Sequence, residues 1–206
     1  MKKILFFIFI LFVNELIAQS NFGDFLNLSG PKRTWVFFHP FKAKLSSEVS
    51  KETNKVSDSI ARTNLLDGDG SGGQVDAFRH AYWMARLKQE MGHSAAESLG
   101  IAHEKENYLT YKKMALEEGV VPDKISSEMD LHNNNEGLKL ITKKSKTSRN
   151  SLIYKIVNAI HLGKMKIIKK DSKGNFLTCD GVLISEKSLK GKWVNNKCLV
   201  ASNTKQ

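Results

Sequence analysis

The sequence has few of the motifs that usually indicate a biochemical function. It contains only two cysteines, whose spacing gives no zinc knuckle, and no tight catalytic signature such as H-E-x-x-H. Its longest apolar run, residues 4–13, is too short to span a bilayer, which takes roughly 20 residues. Function must therefore be sought in looser patterns of polar side chains.

The N-terminus has the three parts of a secretory signal. Lys2 and Lys3 precede the apolar run, and Ala18 provides a small residue at the predicted cut. We expect residues 1–18 to be a signal peptide and the mature protein to be exported, to the periplasm or beyond the cell, without a transmembrane helix. An uncleaved membrane anchor is the alternative.

Positive charge exceeds negative charge. The 32 Lys and Arg residues outnumber the 21 Asp and Glu residues, which gives a formal net charge of +11. Loss of Lys2, Lys3 and Glu15 with the signal lowers it only to +10. This charge favours an anionic partner such as nucleic acid, phospholipid or acidic glycan, although scattered lysine also serves solubility.

The hydrophobic pattern predicts an α+β fold. After an irregular lead-in, 19–42, we expect a helical domain over 43–163, with about five helices near 44–63, 75–91, 94–118, 122–142 and 149–162. Residues 164–206 change to short β-like runs and turns, which predicts a small antiparallel β-meander packed on the same domain. Cys179 and Cys198 are expected to form a disulfide within it.

Polar side chains recur inside three of these predicted helices. Asp76 and His80 are four residues apart and therefore share a helix face, and Asp130 and Asn134 do the same. Polar groups on inner helix faces usually satisfy one another or hold a ligand. The full set is Asp76, Arg79, His80, His103, Glu104, Asp130, His132 and Asn134.

Imidazole and carboxylate groups that converge from several helices are what a Zn, Mn or Fe site needs. We predict His80, His103, Asp130 and His132 as metal ligands. Catalytic roles are predicted for Arg79, as an anion clamp, and for Glu104, Asp76 and Asn134. The alternative is a buried hydrogen-bond network that only fixes helix packing.

A glycine-rich segment precedes the first motif. Asp67, Asp69 and Ser71 stand at positions one, three and five of a calcium loop, with Gly72 at the sixth. The pattern ends there, since position twelve is Phe78 and not glutamate. A flexible turn before the helix is the stronger interpretation, and calcium is the weaker one.

The strings Asp76–Trp83, Ala102–Glu104 and Met129–Asn134 resemble an uncharacterised bacterial domain family, a domain of unknown function. The resemblance covers roughly residues 65–170 and implies a mostly helical domain of secreted proteins, found also at the C-termini of larger toxin-like proteins. Two positions depart from that family: Leu138 stands where arginine is expected, and Met84 stands where asparagine is common.

These observations support three functions. The first is an exported metal-dependent hydrolase of phosphodiesters, in nucleic acid or phospholipid. The second is a non-enzymatic envelope or surface protein that binds anionic polymer. The third is a toxin-like domain, which would require an immunity partner.

Overall fold

The computed structural model describes residues 25–116, 121–142 and 147–205, so the predicted signal peptide lies outside the described residues. The helices are α1 (Gly30–Phe38), α2 (Ala43–Ala61), α3 (Gln74–Met91), α4 (His93–Lys112), α5 (Lys124–Lys139), α6 (Arg149–His161) and the one-turn α7 (Glu186–Leu189). The strands are β1 (Lys166–Ile168) and β2 (Leu199–Ala201). The mainly helical α+β class is confirmed.

Helix α3 is the centre of the fold. It contacts α2, α4, α5, α6 and β1, and it is buried on almost every side, as a helix with neighbours all round must be. Ala77, Ala81 and Ala85 form a fully buried stripe along it. Their small side chains let neighbouring helices approach closely.

Helix α5 makes the closest approach to α3. A Cβ atom added to Gly137 would lie 2.7 Å from the Cα atom and 2.8 Å from the carbonyl carbon of Ala81. The two backbones therefore touch at this point. Asp130 and Asn134 precede Gly137 on the same face of α5, so the contact brings them to the N-terminal half of α3.

A carboxylate joins three helices at the other side of α3. Glu52 on α2 accepts hydrogen bonds from Tyr82 (2.8 Å) and Arg86 (2.9 Å) on α3, and from Arg149 (2.8 Å) at the start of α6. Burial acts to raise the pKa of Glu52, but these donors hold it below its ordinary value. These bonds to Glu52 hold α3 against α2 and against the start of α6.

The expectation of an irregular lead-in was wrong for residues 30–42, which form α1 and a 3-10 helix, Pro40–Lys42. The Ser29 side chain caps α1, and Pro31 lies in its first turn, where the missing N–H costs nothing. Trp35 is buried against α4 and donates from Nε1 to the Ala95 carbonyl (3.1 Å). This anchor stabilises a helix too short to show a clear period.

The C-terminal segment is less regular than the predicted meander. β1 and β2 pair antiparallel with Ile167 opposite Val200, and the remaining ladder consists of isolated bridges, Lys170 to Phe176 and Leu177 to Leu183. Residues 182–183 and Val194 are largely exposed, so they have no core face on which to extend a sheet.

The predicted disulfide, Cys179–Cys198, is confirmed. Such a bond is consistent with an oxidising compartment, and so with an exported protein. Within residues 25–116, 121–142 and 147–205, no helix has both the length and the apolarity that a membrane crossing requires.

The contact at Gly137 predicts a large effect of one methyl group. Gly137→Ala should destabilise the protein by about 2–4 kcal/mol, because the new Cβ meets backbone atoms that cannot rotate away. Gly30→Ala, where no atom lies within 4 Å of the added Cβ, is the matched control and should change stability by less than about 1 kcal/mol. Urea denaturation of wild type and both variants measures the free energies of unfolding. Equal values for all three would contradict a rigid backbone contact between α3 and α5.

Candidate metal centre

Asp76, His80 and Asp130 meet between α3 and α5. The Nε2 atom of His80 lies 3.2 Å from Asp130 Oδ1 and 3.5 Å from Asp76 Oδ1. One ligand atom from each of the three residues lies within 4.8 Å of the other two, and all three residues are buried. Among the described residues this is the group that could hold a metal ion.

The start of α3 orients Asp76. Its Oδ2 atom accepts a hydrogen bond from the Gly72 N–H (2.6 Å), and its Oδ1 atom accepts one from Arg79 Nη2 (2.5 Å). Gly72 in turn accepts a bond from the Ile168 N–H on β1 (2.7 Å). The carboxylate is therefore held by the glycine loop, by its own helix and, indirectly, by the sheet.

Asn134 holds the histidine from the other side. The His80 Nδ1 atom lies 3.3 Å from Asn134 Oδ1. Burial, and then the nearby charges of Arg79 and His103, lower the pKa of His80 well below its ordinary value, against the opposite effect of the Asn134 bond. A lowered pKa favours the neutral imidazole, which is the form that binds metals.

The position of the imidazole proton decides what the group can do. If Nδ1–H donates to Asn134, the Nε2 lone pair faces two carboxylate oxygens, of which Asp76 Oδ1 also accepts a hydrogen bond from Arg79. A tetrahedral ion with bonds of about 2.1 Å separates its ligand atoms by about 3.4 Å. The observed 3.2 Å and 3.5 Å fit that spacing.

A cavity of about 290 Å³ adjoins the three residues. Its lining also includes four side chains with cationic or titratable nitrogen groups: Arg79, Lys32, His103 and Lys197. Lys197 comes from the C-terminal segment, where it pairs with Asp123 (2.7 Å). A negatively charged group could enter this cavity beside the metal-binding residues.

His103 lies in the cavity but outside the metal-binding group. Its ring centre is 6.4 Å from that of His80, and its Nδ1 atom is 3.7 Å from Glu106 Oε2. Burial acts to raise the pKa of Glu106, but hydrogen bonds from His103, Lys32 and Ser29 lower it to about 2. The sequence analysis did not identify Glu106 as the carboxylate partner of His103, although the two residues are three positions apart on one helix.

Two predicted site residues point elsewhere. His132 Nε2 lies 3.0 Å from the Lys164 carbonyl and does not line the cavity. Glu104 is buried and accepts hydrogen bonds from Ser127 (2.8 Å) and Asn107 (3.3 Å). Both side chains therefore have partners elsewhere in the fold, and neither belongs to the Asp76–His80–Asp130 group.

Asn133 has a structural role that the sequence did not reveal. Its side chain donates to the Lys166 carbonyl (2.9 Å) and accepts from the Lys166 N–H (2.8 Å), as a neighbouring strand would. This pairing fixes β1 against α5. The run of asparagines thus combines a strand anchor with the partner of His80.

The residues of the proposed calcium loop bind other groups. Asp67 accepts hydrogen bonds from the N–H groups of Asp69 (2.9 Å) and Gln74 (2.8 Å). Asp69 accepts from the Ser71 N–H and from the Lys170 ammonium, which also donates to the Ser71 carbonyl (2.6 Å). A lysine thus supplies the positive charge in this turn, an arrangement that does not favour calcium.

The family model of a domain of unknown function, DUF6973, matches residues 33–164. The chain belongs to this family. The match confirms the resemblance to an uncharacterised domain family and contains the whole Asp76–His80–Asp130 group, whereas Lys197 lies beyond its end. No curated protein and no solved structure matches the chain.

The low pKa of Glu106 predicts a specific acid sensitivity. Unfolded chains protonate this carboxyl near its ordinary pKa of 4.5, whereas the folded DUF6973 protein keeps it ionised to about pH 2. Its contribution to stability is therefore complete above pH 4.5 and is lost as pH falls from 4.5 to 2. Glu106→Gln should flatten the fall in melting temperature over that range, and the exposed Glu48→Gln should not. Parallel curves for wild type and Glu106→Gln would contradict the assignment.

Proposed function

We propose that this protein is an exported, metal-dependent hydrolase of phosphodiesters, with Asp76, His80 and Asp130 as the metal ligands. The observation that carries the proposal is the convergence of a buried imidazole and two buried carboxylates at the wall of a cavity. Zn²⁺ and Mn²⁺ accept such mixed nitrogen and oxygen ligands. When bound, the ion would supply Lewis-acid catalysis and a water of lowered pKa.

The remaining groups have roles that follow from their positions. Arg79 donates to Asp76 and also lines the cavity, so its guanidinium can bind a non-bridging phosphate oxygen. His103, with Glu106 beside it, can exchange a proton with the leaving oxygen. Asn134 orients His80 by its hydrogen bond, as partners of ligating histidines generally do.

The alternative function follows from the other imidazole tautomer. If Nε2 carries the proton, it donates to Asp130, and the Asn134 amide donates to Nδ1 once its oxygen and nitrogen exchange places. The same residues then form a closed hydrogen-bond network that only stabilises the helix contact. The protein would in that case be a non-enzymatic surface protein, with its basic charge binding anionic polymer.

Metal content separates the two functions. We expect purified wild-type protein to hold about one Zn²⁺ or Mn²⁺ per chain by mass spectrometry, and to cleave a model phosphodiester such as bis-p-nitrophenyl phosphate. Asp130→Asn and His80→Ala should lose the metal and reduce kcat by at least about 100-fold. His132→Ala is the matched control, since its ring bonds the Lys164 carbonyl, and it should retain both metal and activity.

Two results together would contradict the hydrolase proposal. A folded wild-type protein that takes up no metal on reconstitution, and whose His80 shows the Nε2–H tautomer by ¹⁵N NMR, would overturn the hydrolase proposal. His80→Ala would then act on stability alone, with a loss of about 1–3 kcal/mol because the buried Asp130 carboxylate loses a hydrogen-bond donor.

A further inference from the structure

A second concave surface lies beside the cavity of the candidate metal centre, with Ser127 in the lining of both. It is an open groove of about 540 Å³, within the range of roughly 300–1,000 Å³ found for ligand sites. Its apolar lining comes from α1, α4, α5 and the C-terminal segment: Pro31, Ile101, Tyr108, Leu109, Leu131 and Trp193.

The groove presents apolar side chains to solvent. Ile101, Tyr108 and Leu109 share one face of α4 at i, i+7 and i+8, and each is about 40% exposed or more. Leu131 on α5 is exposed to the same degree, and the ring of Trp193 meets that of Tyr108 at 5.0 Å. Apolar side chains gathered in one groove in this way favour the binding of an apolar group.

A thin polar wall separates the groove from the cavity. Ser127 lines both, Glu104 lines the groove, and Asn107 lines the cavity. These three side chains are hydrogen-bonded to one another through the Glu104 carboxylate. The first turn of α1 also spans both surfaces, since Pro31 lines the groove and Lys32 lines the cavity.

A ligand that fits both surfaces must be amphiphilic. The cavity offers Arg79, Lys32 and Lys197 to an anion, and the neighbouring groove offers an apolar surface. Nucleic acid would place sugars and further phosphates where the groove has Ile101, Leu109 and Leu131. An acyl chain would instead gain free energy from each methylene that it buries there.

We infer that the substrate is a phospholipid, whose phosphate lies in the cavity and one of whose acyl chains lies in the apolar groove. The inference rests on the proposed function, because it names the substrate class of the same site. It selects phospholipid over nucleic acid among the anionic partners that the basic charge allows.

The test compares two alkyl phosphates that differ only in chain length. Ethyl phosphate and monomeric octyl phosphate are titrated into the metal-reconstituted protein by calorimetry. Each buried methylene tightens binding by a factor of about four, so burial of four of the six extra methylenes predicts a preference of about 200-fold for octyl phosphate.

Charged substitutions in the groove locate the effect. Ile101→Asp, and independently Leu131→Asp, should weaken octyl phosphate binding by at least about tenfold and leave ethyl phosphate binding and metal content unchanged. Both sites are partly exposed, so folding should tolerate the charge. Leu162→Asp, at an exposed leucine outside the groove, is the control and should change neither affinity.

In the calorimetry, three results would overturn the inference: binding of neither compound, equal affinity for both, or an equal loss of both affinities in Ile101→Asp and Leu131→Asp. Tighter binding of a single-stranded oligonucleotide, insensitive to the groove variants, would overturn it in favour of nucleic acid. Hydrolysis is assayed separately. Tighter binding of octyl phosphate by a protein that holds no metal and cleaves no phosphodiester would refute the hydrolase proposal alone. Cleavage that does not depend on chain length would refute the phospholipid inference alone.

Discussion

The backbone contact between Gly137 and Ala81 sets the distance between α3 and α5, and the candidate metal centre depends on that distance. Asp76 and His80 lie on one helix, whereas Asp130 and Asn134 lie on the other. Their atoms come within 3.2–3.5 Å of one another only because no side chain separates the helices further along. The stripe of fully buried alanines on α3 extends the same constraint. Small residues at one level of the interface thus leave room for polar residues at the next.

Burial of two carboxylates and an imidazole opposes folding, and the surrounding contacts offset that cost. The Gly72 N–H and Arg79 donate hydrogen bonds to the Asp76 carboxylate, while burial lowers the pKa of His80. The Gly72 carbonyl also accepts the Ile168 N–H, and Asn133 pairs with Lys166, so β1 supports the same site from outside the helices. The small sheet therefore contributes to the position of Asp76, in addition to completing the core through Ile167.

Helical periodicity made most of the fold predictable, because α2, α3, α4 and α6 each bury a face with apolar or small residues at helical spacing. The buried face of α5 is instead mostly polar, with Met129 and Leu138 as its large apolar residues. The i,i+4 rule likewise paired Asp76 with His80 and Asp130 with Asn134. The same geometry argues against His132, which lies two residues and about 200° from Asp130 on α5, and it separates Glu104 from His103 by about 100°. Applied to every pair, helix geometry would have reduced the predicted ligand set. Helix geometry could not predict that Lys197 lines the cavity, since only contacts between distant parts of the chain bring it there.

The positive charge of the chain is a poor guide to what the cavity binds. With a net charge of +11, the sequence favours polyanions in general. In the cavity, however, Lys32 pairs with Glu106, Lys197 with Asp123 and Arg79 with Asp76. Because each of these cations has a carboxylate partner, the positive potential in the cavity is weaker than the number of basic residues implies. Such paired charges contribute to the specificity and rate of binding more than to affinity. A ligand held there gains more from a single well-placed phosphate, and from apolar contact beside it, than from a long run of negative charge. The excess lysines lie mostly outside the cavity, where net positive charge favours solubility.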